Sequence, residues 1–256
     1  MKQCIDGRVA SIITVTIMSH VKNAEAFTRM VNFCTGFGGM YIPGRPTLQI
    51  DALTSQVNQV HAALDAVKQA KAKYDELVNQ RKQAFDLVPK ILAGTLRRLE
   101  ASGTKPEQLE DARAYVHQFI GSAPRNRTPI PSEMTESAPV TRGLLQLAYT
   151  SKVDAFSKLV EALKASTVYQ AQEPTYTVAG LEAKVQELAQ LNQAVDMARK
   201  AWRMKIINRD QLLYENEDSM YQVAFAVKKY VRGLFGPNSG EYALVRELKF
   251  TKPGNS

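Results

Sequence analysis

The residues most able to do chemistry in this sequence are cations grouped around its single tryptophan. Guanidinium and ammonium groups bind phosphates, and a neighbouring indole can stack on a base, so such a group is typical of a nucleic-acid or other anionic-partner surface. The alternative, which we favour, is that the tryptophan lies in the core and the charges form a solvated helix face. The first cluster is Arg199, Lys200, Arg203, Lys205 and Arg209 around Trp202. A second cluster, which could join it only if the fold brings the two together, is Lys228, Lys229, Arg232, Arg246, Lys249 and Lys252.

Four basic residues occupy helix positions where apolar residues are expected. They are Lys71, Arg81, Arg199 and Arg209, and the last two follow the first two by 128 positions. One interpretation makes them a symmetric anion or phosphate site. The interpretation that we favour is that their stems pack on the helix seam while their heads reach water or a carboxylate and set the register.

The sequence offers little that predicts catalysis. Glu215, Glu217 and Asp218 could act as acid and base or bind a hard cation, but carboxylates also favour helix N-termini, and we favour that explanation. The three histidines lack metal-ligand spacing. Because no Walker loop, Gly-x-Ser-x-Gly, Cys/His pair or dinucleotide fingerprint occurs, we predict no enzyme activity, no cofactor, no metal and no small-molecule substrate.

The elements that position these residues are predicted to occur twice. A box of tyrosine, proline and leucine recurs with one fixed offset of 128 positions, and the register continues into a long helical pattern. Such an offset indicates an internal duplication. We therefore expect two homologous helical repeats, at 22–121 and 144–250, joined by a Pro-rich linker at 122–143 and followed by a tail at 251–256. The box residues are Tyr41, Pro46 and Leu53, then Tyr169, Pro174 and Leu181.

Apolar periodicity predicts an all-α fold, an elongated helical bundle with coiled-coil-like long helices. The long helix at 50–85 and its counterpart ending at 213 follow a strict 4-3 seam that includes Trp202. Pro89 is predicted to open a new helix, and an insertion is expected near Glu215–Ser219. Residues 143–149 are read as a short strand or a lead-in to the next helix. The other predicted helices are 22–36, 89–101, 107–119, 152–166, 219–235 and 240–248.

Composition is that of an ordinary globular protein, with 45% apolar residues and a formal charge of +8. Residues 1–20 are expected to be an extension that is disordered or not native, with Met18 as the true start, although a signal peptide is an alternative. The apolar stretch there is too short to span a bilayer, so we expect no membrane insertion. Two cysteines, too few for a disulfide framework, favour a cytoplasmic location.

Two stretches resemble a family of uncharacterised, all-helical proteins found chiefly in Bacteroidetes-type bacteria. The first is Phe33-Cys34-Thr35-Gly36-Phe37-Gly38 with Tyr41 and Pro43, followed by a helix that ends near Asn79-x-Arg81. The second runs from Val231 to Ser239 and continues through Tyr242 to Leu248-Lys249-Phe250-Thr251. The resemblance covers the chain from about residue 21 onward. It implies a bacterial, helical, duplicated protein, and it implies no activity, cofactor or catalytic residue.

Three functions follow from these observations. We predict first a non-enzymatic structural or protein-interaction bundle that self-associates or binds a protein partner, because repeated helical faces offer isologous surfaces. The alternative is binding of nucleic acid or another anionic partner through the basic helix faces. A membrane-active bundle is the weakest of the three, since no stretch is long and apolar enough to span.

Overall fold

A computed structural model describes residues 6–121 and 139–252, with side chains at 19–121 and 148–252. Within these ranges every regular element is a helix and no strand occurs, which confirms the all-α prediction. None of the described helices combines the length and apolar composition that crossing a bilayer requires. The α-helices are α1 (Asp6–Gly36), α2 (Ile50–Ala101), α3 (Pro106–Ile120), α4 (Pro139–Ala165), α5 (Val178–Asp210), α6 (Met220–Phe235) and α7 (Gly240–Arg246).

The chain divides into two compact units, and neither coincides with a predicted repeat. The terminal unit combines Met1–Ala72 with Lys200–Ser256, and the central unit is Lys73–Arg199. The boundaries fall inside α2 and α5. Each unit therefore takes one part from the first predicted repeat and one part from the second.

Each unit has its own apolar core. In the terminal unit, Phe27 of α1 and Leu53 of α2 share a fully buried cluster with Val227 of α6. In the central unit, Phe156 of α4 and Leu181 of α5 are buried together with residues of α2 and α3. These side chains recur at helical spacing, so one stripe of each helix is removed from water.

The two boxes have the same internal hydrogen bond. The Tyr41 hydroxyl donates to the carbonyl of Leu48 at 2.9 Å, and the Tyr169 hydroxyl donates to the carbonyl of Tyr176 at 2.6 Å. The long helices then begin two residues after each acceptor, at Ile50 and at Val178. Each bond closes the loop that immediately precedes its long helix.

Pro89 does not open a helix, contrary to the prediction. It lies inside α2, which runs without interruption to Ala101. An internal proline removes one backbone hydrogen bond and costs about 3 kcal/mol. Val88 and Leu92 on either side of it are fully buried in the central core, so a continuous helix keeps both side chains packed. Burial therefore outweighs the local preference.

The second long helix ends differently from the first. After Asp210 the chain forms a π-helical turn at Gln211–Glu215, which buries Leu213 and Tyr214, and α6 begins after Ser219. The π-helical turn ends at Glu215, where the insertion predicted near Glu215–Ser219 begins. A wider turn of this type accommodates an extra residue while keeping apolar side chains on the buried face.

Several predicted boundaries were wrong. Helix α1 begins at Asp6 rather than 22, so 6–20 is helical backbone instead of a disordered extension, while 1–5 lie outside the described residues. Helix α4 begins at Pro139, so the last five residues assigned to the linker are helical and no strand forms at 143–149; positions 122–138 lie outside the described residues. Helix α7 ends at Arg246, and of the predicted tail only 251 and 252 are described.

Candidate binding surfaces

The seam residue Lys71 contacts Trp202 in the terminal unit. Its ammonium lies 5.4 Å from the centroid of the Trp202 ring. Trp202 is only 6% exposed, so it packs in the protein rather than offering a ring to a base. The favoured interpretation placed the charged heads in water or on a carboxylate, whereas the ammonium of Lys71 lies over an aromatic ring.

Arg81 is a buried cation in the central unit. Its guanidinium lies 4.0 Å from the ring centroid of Tyr149, and the residue is 6% exposed. Burial lowers the pKa of Arg81 and the charge of Arg199 lowers it further, while Tyr149 and Tyr74 act in the opposite direction. Stacking on a ring partly replaces the water that such a cation loses.

The remaining seam cations are paired with carboxylates. Arg199 donates to Asp196 at 2.9 Å in the central unit, and Arg209 contacts Asp210 at 2.8 and 2.9 Å in the terminal unit. The four predicted seam cations thus belong to two separate units. Their observed partners are rings and carboxylates of this chain, and the anion site built from all four stays a prediction without a contact to support it.

The exposed cations of α5 surround two exposed apolar residues. Lys200, Arg203 and Lys205 are exposed, as both a solvated helix face and an anion-binding surface require. Met204 is 55% exposed and Ile207 is 47% exposed on the same helix. Sequence reasoning missed these two residues, although the signal was present, because they are large apolar side chains that fall outside the predicted seam.

The cations of α6 divide into one bound residue and two exposed ones. The Lys228 ammonium donates to the carbonyls of Arg246 and Leu248, and burial lowers the pKa of this residue. It also lies 5.3 Å from the Phe250 ring. Lys228 therefore stabilises the fold, whereas Lys229 and Arg232 are exposed.

The acidic residues before α6 take part in the fold as well. Asp218 forms a 2.6 Å ion pair with Arg45, and its carbonyl accepts a hydrogen bond from Gln56 at 2.8 Å. Glu215 and Glu217 are exposed. Among the described residues, no group of histidine, cysteine and carboxylate side chains is arranged to hold a metal ion.

A buried polar network in the terminal unit was not predicted. Nδ1 of His20 lies 2.8 Å from the Tyr214 hydroxyl, which also accepts from the Asn23 amide at 3.0 Å. Burial lowers the pKa of His20 to about 4, and the Arg209 charge adds to this while Asp210 opposes it. Burial raises the pKa of Tyr214 to about 12. These partners are more than 190 positions apart, so no local pattern connects them.

The central unit has an open groove of about 620 Å³ between α4 and α5. Apolar side chains such as Val153 and Val185 alternate with polar ones, including the buried Asn192. Its two carboxylates are engaged at the rim, because Asp154 pairs with Lys158 and Asp196 pairs with Arg199. The groove is therefore less acidic than its composition suggests.

Comparison with protein-family models, with curated proteins and with solved structures finds no match for this chain. The resemblance to a Bacteroidetes-type family therefore stays a prediction.

Proposed function

We propose that this protein is a non-enzymatic interaction bundle that binds an acidic protein partner through the exposed face of α5. The observation that carries the proposal is the exposure of Met204 and Ile207 among cations. An exposed residue such as Met204 is common on its own, but two large apolar residues one turn apart give a helix face that a second helix can cover.

We also propose that the bundle arose by duplication. Support comes from the matching Tyr41 and Tyr169 hydrogen bonds and from long helices that begin 128 positions apart. Leu53 and Leu181, which are related by the same offset, are both fully buried. The coiled-coil-like character of the long helices stays a prediction from the 4-3 seam.

Charge decides between a second copy and a different partner. The α5 face carries Lys200, Arg203 and Lys205, and the whole chain has a net charge of +8. Pairing this face with itself would bring like charges together, which costs free energy, whereas an acidic amphipathic helix would complement both the charges and the apolar residues. A cytoplasmic location stays a prediction; the buried free thiol of Cys34 is compatible with it.

Nucleic-acid binding is the second candidate, and the exposed Arg203 and Lys205 favour it. The two functions differ in what Met204 and Ile207 do. Phosphate contacts depend on charge and weaken steeply with salt, whereas a partner helix also needs the apolar side chains.

The test compares two labelled probes by fluorescence anisotropy at low and high salt. One is a synthetic acidic helix with leucines on a single face, and the other is a short DNA duplex. We expect Met204→Gln/Ile207→Gln to weaken peptide binding about tenfold and to leave DNA binding unchanged. Arg203→Gln/Lys205→Gln should weaken both. Leu87→Gln, at an exposed site of α2 in the central unit, is the control.

Two results would overturn the proposal. Peptide binding that survives the loss of both apolar side chains, together with DNA binding that depends on charge, would assign the surface to nucleic acid. Light scattering that shows a salt-resistant oligomer, converted to a monomer by the same apolar substitutions, would assign the face to self-association.

A further inference from the structure

The last described segment of the chain is held by side chains alone. After α7 the backbone at 248–252 forms no regular secondary structure, and none of the backbone-to-backbone hydrogen bonds found outside regular elements involves it. It lies against α1 and α6 of the terminal unit, where Phe250 is buried. A segment bound in this way resembles a peptide in a recognition groove rather than an element of the bundle.

The side chain of Asn23 in α1 forms hydrogen bonds with both the backbone N–H and the backbone carbonyl of Thr251. The Thr251 N–H donates to Oδ1 of Asn23 at 3.1 Å, and Nδ2 of Asn23 donates to the Thr251 carbonyl at 2.7 Å. Asn23 is itself 1% exposed and is oriented by the Tyr214 hydroxyl. Because these two bonds use only backbone atoms of the segment, they fix its position without selecting a side chain at 251.

Selectivity comes from the neighbouring residues. Phe250 enters an apolar site beside Phe225 and under the Lys228 ammonium, which is 5.3 Å from its ring. The same ammonium donates to the carbonyl of Leu248. The groove therefore selects an aromatic side chain at position 250. It also binds the backbone before this residue, at Leu248, and after it, at Thr251.

We propose that the groove between α1 and α6 is a peptide-binding site and that the 248–252 segment of a second copy is its occupant in trans. A second copy carries the one sequence that is seen to fit the groove. The segment follows α7, which ends at Arg246, so exchange requires the groove of the second copy to lie close to that helix end. Reciprocal exchange of this kind gives a closed dimer.

The segment in cis competes with any segment in trans. A short tether gives it an effective concentration of about a millimolar, so the exchanged dimer is favoured only at high protein concentration or when the cis contact is weakened. This site is separate from the α5 face, so the inference does not depend on the proposed function.

The first experiment measures binding of a fluorescein-labelled peptide with the sequence of residues 247–252 to the full chain. Thr251→Pro removes the N–H that Asn23 accepts and leaves Phe250 unchanged, so it weakens the cis segment with little effect on the core. We expect this variant to bind the peptide about tenfold more tightly than the wild-type chain. Adding Asn23→Leu to it should abolish binding, and circular dichroism checks that each variant is folded.

The second experiment locks the cis segment. The side-chain oxygens of Ser19 and Thr251 are 3.1 Å apart, so cysteines at both positions are close enough to be bridged. In a Cys4→Ser background, the oxidised Ser19→Cys/Thr251→Cys chain should bind no peptide and stay monomeric in light scattering. The same chain after reduction should regain both peptide binding and a concentration-dependent dimer.

Specific results would overturn the inference. A folded Thr251→Pro chain that binds no peptide, or peptide binding that Asn23→Leu leaves unchanged, would exclude a peptide site in this groove. Peptide binding that the lock abolishes, without any dimer of the reduced chain at high concentration, would exclude a second copy as the occupant.

Discussion

The two compact units use different chemistry at positions that the predicted offsets relate to each other. In the terminal unit, Arg209 pairs with a carboxylate and acts on His20, which belongs to a hydrogen-bonded network. In the central unit, Arg81 stacks 4.0 Å from the ring of Tyr149. Offsets of 128 and 129 relate these two pairs. If the units share an origin, the related helix positions have both retained an arginine, and the residues around that arginine have changed.

This difference predicts different responses of the two units. A cation on an aromatic face is held by dispersion and by the ring quadrupole, which do not change between pH 4 and pH 8. A histidine in a buried hydrogen-bonded network titrates in that range when the chain unfolds. The central unit should therefore respond most to loss of ring area, and the terminal unit to pH.

The largest expected effect is that of Tyr149→Ala. The ring of Tyr149 meets Phe85 edge-on at 4.7 Å and covers the buried Arg81, so its removal leaves a cavity and an uncovered cation. We expect the free energy of unfolding of the central unit to fall by about 3 kcal/mol. Hydrogen exchange followed by mass spectrometry assigns the loss to a unit, which a single denaturation curve cannot do.

The matched change for this comparison is Tyr149→His, which places in α4 the residue type that the terminal unit has at position 20. A histidine there should recover part of the loss at pH 8 and less at pH 5, where it carries a charge beside Arg81. If backbone amides of both units lose the same protection from hydrogen exchange in Tyr149→Ala, the ring does not stabilise the central unit in particular.

The next effect is the pH dependence of the terminal unit. The pKa of His20 is lowered to about 4 in the folded chain, so the unfolded state binds a proton first as the pH falls. Stability that is fully present above pH 6.5 is therefore lost as the pH falls toward 4, by about 3 kcal/mol. His20→Gln should flatten the stability curve in this window, measured by urea unfolding at a series of pH values.

The control for His20 is His117→Gln on the exposed face of α3, which should leave that curve as it is in the wild-type chain. Loss of protection between pH 6.5 and pH 4 should appear in peptides of α1 and of the π-helical turn. A decline that is the same in both units, and that His20→Gln does not alter, would show that other groups cause it.

A smaller pair of effects tests the duplication directly. Tyr41→Phe and Tyr169→Phe each delete one hydroxyl that donates to a carbonyl seven residues later. Each change should cost about 1 kcal/mol, the usual value for one such bond. Thermal unfolding of both variants gives the comparison. Near-equal losses would support two equivalent boxes, and a large loss at one site with none at the other would count against them.

The sequence predicted what depends on local pattern. The seam periodicity placed Trp202 inside, and the box predicted that α2 begins at about 50. It failed at Pro89, where local preference predicted a boundary and burial of Val88 and Leu92 maintains one helix. It could not indicate that each unit combines parts of both repeats, because this choice depends on contacts between segments far apart in the chain.

The candidate sites divide in the same way. The exposed cations of α5 were identified from spacing, since a helix face can be read from its period. The groove that holds Phe250 could not be found, because Asn23 lies 228 positions from the residue that it binds. The sequence signal for the groove is Asn23, a polar residue within the apolar stripe of α1. Its partner can be identified only from the fold.

The smallest expected effect concerns the groove of the central unit. In the terminal unit the Thr28 hydroxyl and Nε2 of His61 are 3.0 Å apart, and this bond joins α1 to α2. The positions that the offsets relate to this pair are Ser157 and Ala189, and both line the open groove between α4 and α5. The difference is one imidazole ring and one methyl group, and the Ala189 side chain has no polar atom that could form the equivalent bond.

Ser157→Thr/Ala189→His should create in the central unit the hydrogen bond that Thr28 and His61 form in the terminal unit. Because the bond is exposed to solvent, we expect the free energy of unfolding to change by no more than about 0.5 kcal/mol. The readout is slower hydrogen exchange in α4, with Thr28→Ser/His61→Ala as the reverse control in α1. If the transfer lowers stability by several times this amount, the helix pairs differ in spacing and the offset does not relate equivalent sites. If exchange in α4 slows and stability is unchanged, two side chains account for the groove, and the helical frames of the two units are equivalent at this point.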